Sequence, residues 1–290
     1  MKIISGSSNR RLASILARKL NIELLETRIN KFQDGELKVQ ISGKIGREVI
    51  ILQSTCTPVN DNLMELLLLA DAAKRAGADR ITAIIPYFGY SRQNLAFQKN
   101  SPISASLVIK MIGNAGITEV ITLDLHSSQL EGIFNVPIRN LASVGLFLPK
   151  IAKLRDVIIV SPDIGGIPRA KNYSSRLGSN LAIIDKTRSI DTGTCIIEGI
   201  IGNVKDKNCV IIDDIVDSGG TLCLAAELLL GQGAKSVEAF ITHGVFSGNA
   251  ISRINNSDLE KLYISDSITL KEKSDKIIQL SIDELILENI

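Results

Sequence analysis

Short runs of Ile and Val alternate along the chain with longer segments of helical period, and this alternation limits the possible folds more than any other feature. Apolar runs rich in β-branched residues are typical of strands buried on both faces of a parallel sheet, with helices as the connections. The predicted strands are Val49–Leu52, Ile81–Ile85, Val120–Leu123, Val157–Val160, Val210–Ile212 and Val237–Ile241. The predicted helices are Leu63–Arg75, Ala105–Asn114 and Leu222–Gly231. The predicted fold class is therefore α/β.

A weak internal repeat indicates two related domains. Residues 73–81 resemble residues 229–237, because in both copies a helix ends at Gly-Ala and a strand follows. Gly77 and Gly233 are 156 positions apart, whereas the strands at Val49 and Val210 are 161 apart, so the first copy has a connection five residues longer. We predict domains of residues 1–143 and 144–290, with the C-terminal end packing back on the first. Chance recurrence of a helix–Gly–Ala–strand pattern, common in α/β proteins, is the alternative.

The composition is that of an ordinary globular protein. The 290 residues are 45% hydrophobic and 22% charged, which allows a sizeable core in each of two domains. The net charge is +2, and the scattered basic residues favour neither nucleic acid nor a membrane as a partner. The longest apolar stretches, such as 62–73, are cut by Glu65 and Asp71, well short of the roughly 18 residues that span a bilayer. The N-terminus has no leader pattern, so we expect a cytoplasmic protein.

The four cysteines, Cys56, Cys195, Cys209 and Cys223, form no Cys-x-x-Cys pair. Their wide spacing indicates neither a zinc site nor a redox motif. We therefore expect reduced thiols that pack in the core.

The strongest chemical signal is the segment 209–221, in which an apolar strand runs into acidic residues and then into a turn of small residues that begins a helix. Gly219 and Gly220 allow backbone N–H groups to approach a phosphate, and Ser218 and Thr221 add hydroxyl donors. The turn contains no Lys, so it is not a Walker A loop. We predict a phosphate-binding loop.

Acidic residues in the same segment predict sugar binding. Asp213 and Asp214, at the carboxyl end of the predicted strand, can accept hydrogen bonds from vicinal ribose hydroxyls, and Asp217 follows in the turn. A role in capping or solubility is the alternative. Three acids beside Gly-Gly-Thr favour the functional interpretation, because ligand sites collect at the carboxyl ends of parallel strands.

This segment resembles the phosphoribosyl-pyrophosphate loop shared by type I phosphoribosyltransferases and ribose-phosphate pyrophosphokinases. Motifs elsewhere resemble the pyrophosphokinases in particular, and they occur in order along nearly the whole chain. They are Phe32-Gln33-Asp34-Gly35-Glu36, Tyr90-Ser91-Arg92-Gln93, Asp124-Leu125-His126-Ser127-Ser128-Gln129, residues 160–166, residues 184–188 and residues 242–247.

The resemblance implies a fold and an activity. The fold would be two phosphoribosyltransferase-like domains, each a mainly parallel sheet flanked by helices, related by pseudo-duplication. The activity would be Mg²⁺-dependent transfer of the β,γ-pyrophosphoryl group of ATP to the 1-hydroxyl of ribose 5-phosphate, with release of AMP. Such a transfer depends on positioning and charge neutralisation.

The resemblance also implies roles for particular residues. His126 and Asp163 would hold the Mg²⁺ that bridges the ATP phosphates. Lys186 and Arg188, placed just after a strand at the root of a mobile flap over residues 187–194, would stabilise the transferring phosphates, and Arg188 would also contact ribose 5-phosphate. His243 has no role carried over and is expected to be structural. The ribose 5-phosphate set would be Asp213, Asp214, Asp217, Ser218, Gly219, Gly220 and Thr221.

The first domain would bind ATP. The implied ATP residues are Phe32, Asp34, Gly35, Glu36, Arg92 and Gln93. In relatives the loop at Phe32 enters the site of a neighbouring subunit, which implies a homo-oligomer with the ATP site at a subunit interface. A structural interpretation is also open, in which Phe32 is a core residue and Asp34-Gly35 forms a hairpin turn.

Two segments depart from the family pattern. Arg92-Gln93 continues into Asn94-Leu95, where the family has Asp and basic residues, and this bears on the choice of nucleotide. Residues 43–47 lack the Ser and Arg of allosterically controlled members, so regulation by ADP or phosphate is not implied.

Two other functions compete with the pyrophosphokinase. A type I phosphoribosyltransferase would use the loop at 213–221 but needs no ATP motif in the first domain. A catalytically silent regulatory homologue would show damaged catalytic positions, whereas Lys186, Arg188, His126 and Asp163 are all present.

Overall fold

Contacts divide the chain into two compact units. The structure is a computed structural model that describes residues 1–96, 98–188 and 195–290, without the side chains of residues 187, 188 and 195–198. Unit 1 comprises residues 1–142, 267–269 and 281–290, and unit 2 comprises residues 143–266 and 270–280. The domain limits 1–143 and 144–290 stay a prediction.

Unit 1 is built on a parallel sheet with strand order β2-β1-β5-β6-β7-β8. Strands β3 and β4 form a separate antiparallel hairpin. The strands are β1 Lys2–Ser5, β2 Leu24–Leu25, β3 Thr27–Lys31, β4 Leu37–Ile41, β5 Glu48–Leu52, β6 Arg80–Ile85, β7 Glu119–Leu123 and β8 Ile138–Leu141. The helices are α1 Arg10–Leu20, α2 Val59–Arg75, α3 Ser104–Asn114, a 3₁₀ turn at Ser128–Ile133 and, from the end of the chain, α8 Asp283–Leu287.

Unit 2 is built on a sheet with strand order β11-β10-β9-β12-β13-β14-β15. All neighbours are parallel except β10 and β11, which pair antiparallel. The strands are β9 Val157–Ser161, β10 Asn180–Arg188, β11 Cys195–Ile201, β12 Asn208–Val216, β13 Ser236–Gly244, β14 Lys261–Ser265 and β15 Ile277–Leu280. The helices are α4 Val144–Ile151, α5 Ile167–Leu177, α6 Gly220–Gly231 and α7 Ala250–Asn255.

The two sheets repeat one topology, as the sequence predicted. The order β2-β1-β5-β6-β7-β8 corresponds strand by strand to β10-β9-β12-β13-β14-β15. The predicted α/β fold, with mainly parallel sheets flanked by helices, is therefore confirmed. In the part of the chain that the structure describes, strand β11 has no counterpart in the first sheet.

The strand register corrects the predicted alignment of the two halves by one residue. Val49 lies opposite Ile81, and the residue opposite Val237 is Cys209. Val49 and Cys209 belong to the cores under α2 and α6, whereas Val210 belongs to the core under α4 and α5. The offset in the first strand is thus 160 rather than 161, because matching Val with Val overlooked that successive strand residues face opposite sides.

Each unit has its own apolar core. In unit 1, β-branched residues of β1, β5 and β6 pack against Leu66, Leu69 and Ala73 of α2 and Ile109 of α3. In unit 2, both faces of the sheet are covered. Leu222 and Leu229 of α6 lie on one face, and Phe147 of α4 lies on the other beside Phe240.

The predicted strands and helices are present, but several extend further. Helix α2 begins at Val59 rather than Leu63, and α6 begins at Gly220 rather than Leu222. Strand β12 continues to Val216 and therefore includes Asp213 and Asp214. Strand β10 continues to Arg188, so Lys186 and Arg188 lie in a strand and not after one as predicted, because β11 pairs with this segment.

The cysteines are core thiols only in part. Cys56 and Cys209 are buried and reduced, as expected, but Cys223 is half-buried on α6. Burial raises the pKa of Cys209 to about 11. The side chain of Cys195 lies outside the description.

The C-terminal segment belongs to unit 1. Lys19 of α1 pairs with Asp283 of α8 at 2.5 Å and with Glu284. Leu285 and Ile286 line an apolar cleft over Ile121 and Leu141 of the unit 1 sheet. Among the described residues, no helix is both long and apolar enough to span a bilayer.

Candidate active site

One arginine contacts two aspartates at the carboxyl edge of the unit 2 sheet. Asp213 and Asp214 lie near the carboxyl end of β12, and Arg169 lies in α5. Its Nη1 lies 3.3 Å from Oδ1 of Asp213 and 3.2 Å from Oδ1 of Asp214. The backbone N–H of Asp214 donates to the same Oδ1 of Asp213 at 2.9 Å. The acid pair, Asp213 and Asp214, thus shares one guanidinium.

The acid pair has an unusual electrostatic setting. Burial raises the pKa of Asp213 well above its ordinary value, and the charge of Asp214, the hydrogen bond with it and the charge of Asp163 raise it further. Arg169 acts against this and lowers it. Perturbed carboxyl groups of this kind are common at functional sites.

Residues 217–221, the phosphate loop, connect β12 to α6. Gly219 has a φ of +73°, and a Cβ at this position would lie 3.3 Å from Cγ1 of Ile254. Glycine is required here, because a side chain would meet both an unfavourable backbone conformation and a crowded neighbour. The first N–H groups of α6 have no partner within the helix, so this end of α6 suits an anion.

A second arginine contacts the phosphate loop. Nη1 of Arg253, on α7, donates to the carbonyl oxygen of Ser218 at 2.6 Å. The N–H of Ser247 donates to the carbonyl oxygen of Asp217 at 3.2 Å. These contacts give the carbonyl groups of Asp217 and Ser218 hydrogen-bond donors from outside the loop.

Asp163 lies in the turn between β9 and α5. Its Oδ1 accepts the N–H of Gly166 at 2.8 Å, and its carbonyl oxygen accepts the hydroxyl of Ser161 at 2.7 Å. A Cβ on Gly166 would approach Oγ of Ser161 to 2.9 Å, so a larger residue would disturb this turn.

Lys186 points to Asp163. Its Nζ lies 3.1 Å from Oδ2 of Asp163, and the Lys186 side chain is only 8% exposed while that of Asp163 is 37% exposed. The Lys186 side chain is therefore largely buried beside Asp163. The side chain of Arg188, and residues 189–194 of the predicted flap, lie outside the description.

In unit 1, the segment Phe32–Glu36 forms the tip of the β3–β4 hairpin. The N–H of Phe32 donates to the carbonyl of Glu36, Oδ1 of Asp34 accepts the N–H of Glu36, and Gly35 has a φ of +95°. The turn interpretation is therefore right. Phe32 is 52% exposed, with Nζ of Lys38 5.8 Å from its ring, so the alternative that it packs in the core is wrong.

Arg92 and Gln93 precede α3 and are exposed. Oε1 of Gln93 accepts the hydroxyl of Ser104 at 2.6 Å, and its carbonyl accepts the N–H of Ala105 at 3.1 Å. Gln93 thus stabilises the start of α3, a structural contribution that the sequence did not indicate.

The two histidines differ in exposure. His126 follows β7 and is exposed, whereas His243 lies buried in β13. Within the described residues, no three His, Cys, Asp or Glu side chains are grouped so as to hold a metal by themselves. A structural role for His243 is consistent with its burial.

Hydrogen bonds close the corresponding edge of unit 1. When Val49 is aligned with Cys209, Gln53 of unit 1 corresponds to Asp213 of unit 2. Its Oε1 accepts the N–H and hydroxyl of Ser8 at 3.1 and 2.7 Å. The carboxylate of Glu65, which is 2% exposed, accepts the N–H and hydroxyl of Ser7 at 2.5 and 2.8 Å. A Cβ on Gly6 would lie 2.1 Å from Oε1 of Gln53, so no space is left there.

Sequence profiles match both units. The profile of the N-terminal domain of ribose phosphate pyrophosphokinase matches residues 1–116, and that of the phosphoribosyl transferase domain matches residues 147–274. A ribose-phosphate pyrophosphokinase of Mesorhizobium japonicum is 50% identical over 273 residues, which are 92% of this chain and 88% of the relative. One of Brucella melitensis is 47% identical over 303 residues, covering 100% of this chain and 96% of the relative.

The chain belongs to the ribose-phosphate pyrophosphokinase family. A crystal structure of phosphoribosylpyrophosphate synthetase from Mycobacterium smegmatis is similar to it with a TM-score of 0.93 at 32% identity, covering 99% of this chain and 96% of that one. The family and the fold predicted from the motifs are therefore confirmed. The roles of individual residues stay predictions.

Two residues beside the ribose-phosphate pyrophosphokinase motifs were missed by sequence reasoning. Arg169 is the third residue of α5 and Arg253 lies on α7. A signal existed for Arg169, because a cation in the first turn of a helix opposes the helix dipole and calls for an acidic partner. Arg253 gave no signal, since its partner is a backbone carbonyl.

Proposed function

We propose that the protein transfers the β,γ-pyrophosphoryl group of ATP to the 1-hydroxyl of ribose 5-phosphate in the presence of Mg²⁺, giving 5-phosphoribosyl 1-pyrophosphate and AMP. Family membership supports the reaction class. The observation that carries the proposal is the acid pair beside an open phosphate loop at one edge of the unit 2 sheet.

The sugar phosphate fits this edge chemically. The 5-phosphate would take the backbone N–H groups of Gly219, Gly220 and the start of α6, with hydroxyls of Ser218 and Thr221 as further donors. The acid pair would accept hydrogen bonds from the vicinal ribose hydroxyls, which leaves the 1-hydroxyl available to attack. Asp217 extends the acceptor set.

Among the residues whose side chains are described, Lys186 is the cation that we propose for catalysis. Its side chain is largely buried, and its ammonium group lies beside Asp163. A fixed positive charge stabilises charge that develops on transferring phosphates, without reorganisation at the moment of reaction. Arg188, two residues further, is proposed for the same task and for contact with ribose 5-phosphate.

ATP is assigned to unit 1. The exposed ring of Phe32 offers a face for stacking on adenine, and Asp34 and Glu36, on either side of Gly35, offer acceptors for the adenine amino group. Arg92 and Gln93 are proposed for the triphosphate and the adenine side. Asn94 stands where the family has Asp. The preferred nucleotide is therefore to be found by comparing ATP with other nucleoside triphosphates as substrates.

Mg²⁺ fits the carboxylate of Asp163, an oxygen ligand of the kind this ion prefers, on a side chain that is 37% exposed. In the structure Oδ2 of Asp163 faces the ammonium of Lys186, which the ion would replace there. Mg²⁺ is commonly held by one or two side chains with water and substrate phosphates, so a dedicated cage of side chains is not needed. Asp163 and His126 would hold the ion, which neutralises the phosphates when bound.

The proposal also includes an oligomeric state and a cellular location. A homo-oligomer is proposed, with the Phe32 loop at a subunit interface, and light scattering on the purified protein tests it. A cytoplasmic location is proposed because nucleotides and sugar phosphates are substrates of the cell interior, and fractionation tests it.

Phosphorus NMR of the protein mixed with ATP, Mg²⁺ and ribose 5-phosphate tests the reaction. We expect AMP and a 1-pyrophosphorylated sugar, with Lys186→Ala prepared in parallel to expose any contaminating kinase. ADP as the product would mean an ordinary kinase. Bound ATP without any product would favour a silent regulatory homologue, and consumption of added 5-phosphoribosyl 1-pyrophosphate with a base would favour a phosphoribosyltransferase.

A further inference from the structure

Arg169 stands out as a charged residue beside the proposed sugar site that no motif includes. It lies in the first turn of α5, whose buried residues Ala170 and Tyr173 fix the helix against the sheet. The Arg169 side chain is 20% exposed, so most of its length is packed. A packed arginine on a fixed helix can hold a partner in one place.

The geometry of Arg169 is directed at both members of the acid pair. One nitrogen, Nη1, contacts Oδ1 of Asp213 and Oδ1 of Asp214 at nearly equal distances of 3.3 and 3.2 Å. Successive residues of a strand normally point to opposite faces. A shared guanidinium nitrogen at the strand end therefore draws together two side chains that the strand alone would separate.

The acid pair needs such a partner. Two adjacent carboxylates repel each other, and burial favours the protonated form of Asp213. A ribose hydroxyl needs an ionised acceptor in a fixed position. A cation in contact with both carboxylates opposes repulsion and protonation at once.

We propose that Arg169 is a positioning residue for sugar recognition, which holds Asp213 and Asp214 in the arrangement that binds the vicinal hydroxyls of ribose 5-phosphate. This inference rests on the proposed function and deepens it. Arg169 touches neither the sugar nor the phosphates in this role, because its effect passes through the acid pair.

The test compares Arg169→Gln with Lys171→Gln, which removes the same charge from an exposed position on the same helix. Binding of radiolabelled ribose 5-phosphate without ATP is measured by equilibrium dialysis, and steady-state kinetics follow. For Arg169→Gln we expect binding and KM for ribose 5-phosphate weakened about 10-fold or more, with kcat and KM for ATP changed less than about threefold. Lys171→Gln is expected to match the wild type.

A sugar analogue separates positioning from general damage. Preference for ribose 5-phosphate over 2-deoxyribose 5-phosphate is expected to fall in Arg169→Gln, because the lost contacts are those to the hydroxyls. In Asp213→Asn, adding Arg169→Gln is expected to weaken binding much less than in the wild type, since the partner is already gone. Arg169→Lys is expected to bind more tightly than Arg169→Gln but less tightly than the wild type. Lysine keeps the positive charge and lacks the planar guanidinium group.

The inference is overturned if Arg169→Gln binds ribose 5-phosphate within twofold of the wild type. It is equally overturned if kcat falls at unchanged affinity, if sugar preference does not move, or if the effects of Arg169→Gln and Asp213→Asn simply add. If Arg169→Gln fails to fold, Arg169→Lys and the sugar preference decide the question. Failure of the proposed function would show separately, as a wild type that binds the sugar phosphate and forms no product.

Discussion

At the scale of single residues, Lys186 is held differently from an ordinary surface lysine. Its side chain is only 8% exposed, and its ammonium group lies 3.1 Å from Oδ2 of Asp163. An ammonium group so fixed can stabilise charge that appears on a phosphate only during transfer. Interactions made in the transition state alone change kcat rather than substrate binding.

Lys186→Ala is therefore expected to lower kcat about 100-fold or more, the usual scale for loss of one electrostatic stabiliser. KM for both substrates is expected to change little. Steady-state kinetics check this, with Lys153→Ala, an exposed lysine of unit 2, as the control. Comparable losses in kcat and in substrate binding would contradict a transition-state role for Lys186.

Asp213→Asn keeps the shape of the side chain but removes its charge. We expect KM for ribose 5-phosphate to rise about 10-fold, because a hydroxyl loses a charged acceptor. KM for ATP and kcat are expected to stay near the wild-type values. A change in KM for ATP alone would contradict the assignment of Asp213 to the sugar.

The pH dependence of sugar binding gives a second view of Asp213. Its pKa is raised by burial, by Asp214 and by Asp163, against the opposing charge of Arg169. The carboxyl is therefore protonated, and a poorer acceptor, up to a higher pH than an ordinary aspartate. Affinity for ribose 5-phosphate is expected to increase as pH rises through this pKa, and Asp213→Asn should lose that step. Titration of the sugar phosphate itself is common to both proteins and cancels in the comparison.

At the scale of elements, the turn from β12 to α6 depends on one backbone conformation. Gly219→Ala is expected to destabilise the fold by about 1–2 kcal/mol, since φ is +73° and Ile254 is close. KM for ribose 5-phosphate is expected to rise with it. Gly231→Ala, in α6 with open space around it, is expected instead to stabilise by about 0.5–1 kcal/mol. Thermal unfolding measures both, and equal behaviour of the two variants would contradict the strain at Gly219.

The closed edge of unit 1 is held by a buried carboxylate. Glu65→Ala would leave the N–H and hydroxyl of Ser7 without their acceptor, at an expected cost of about 1–3 kcal/mol in unfolding free energy. Glu65→Gln keeps one acceptor oxygen and is expected to cost less. Chemical denaturation checks this against Glu227→Ala, an exposed glutamate on α6. A loss no larger than that of Glu227→Ala would mean that the Ser7 contacts contribute little.

Helices and strands were predictable from sequence where their own residues carry the signal. Runs such as Ile81–Ile85 announce buried strands through composition alone, and all of the predicted strands are present. Lys186 was misplaced because its polar segment is a strand only through antiparallel pairing with β11, the next strand of the chain. Arg169 was missed for a different reason, since its partners lie 44 and 45 residues away in β12. The motifs predicted where the loop between β12 and α6 lies, while the contacts that hold this loop depend on tertiary structure.

At the scale of the whole molecule, one topology occurs twice, but the proposed sugar site belongs to unit 2 alone. The edge of unit 2 carries the acid pair and the phosphate loop, while Gln53 and Glu65 fill the matching edge of unit 1. We expect isothermal titration to give one ribose 5-phosphate per chain in the absence of ATP. Asp213→Asn should weaken this single site without revealing another. A stoichiometry of two would mean that the unit 1 edge also opens to the sugar.

The assignment of residues 281–290 to unit 1 has a consequence for biosynthesis. The ribosome delivers a protein from its N-terminus, and domains commonly fold as they emerge. Unit 1 begins the chain yet lacks α8 until residues 281–290 follow, by which time every residue of unit 2 has been made. Until then the first unit lacks the residues of α8 that line the apolar cleft over Ile121 and Leu141. Translation that stopped after Leu280 would yield a finished second unit joined to an unfinished first.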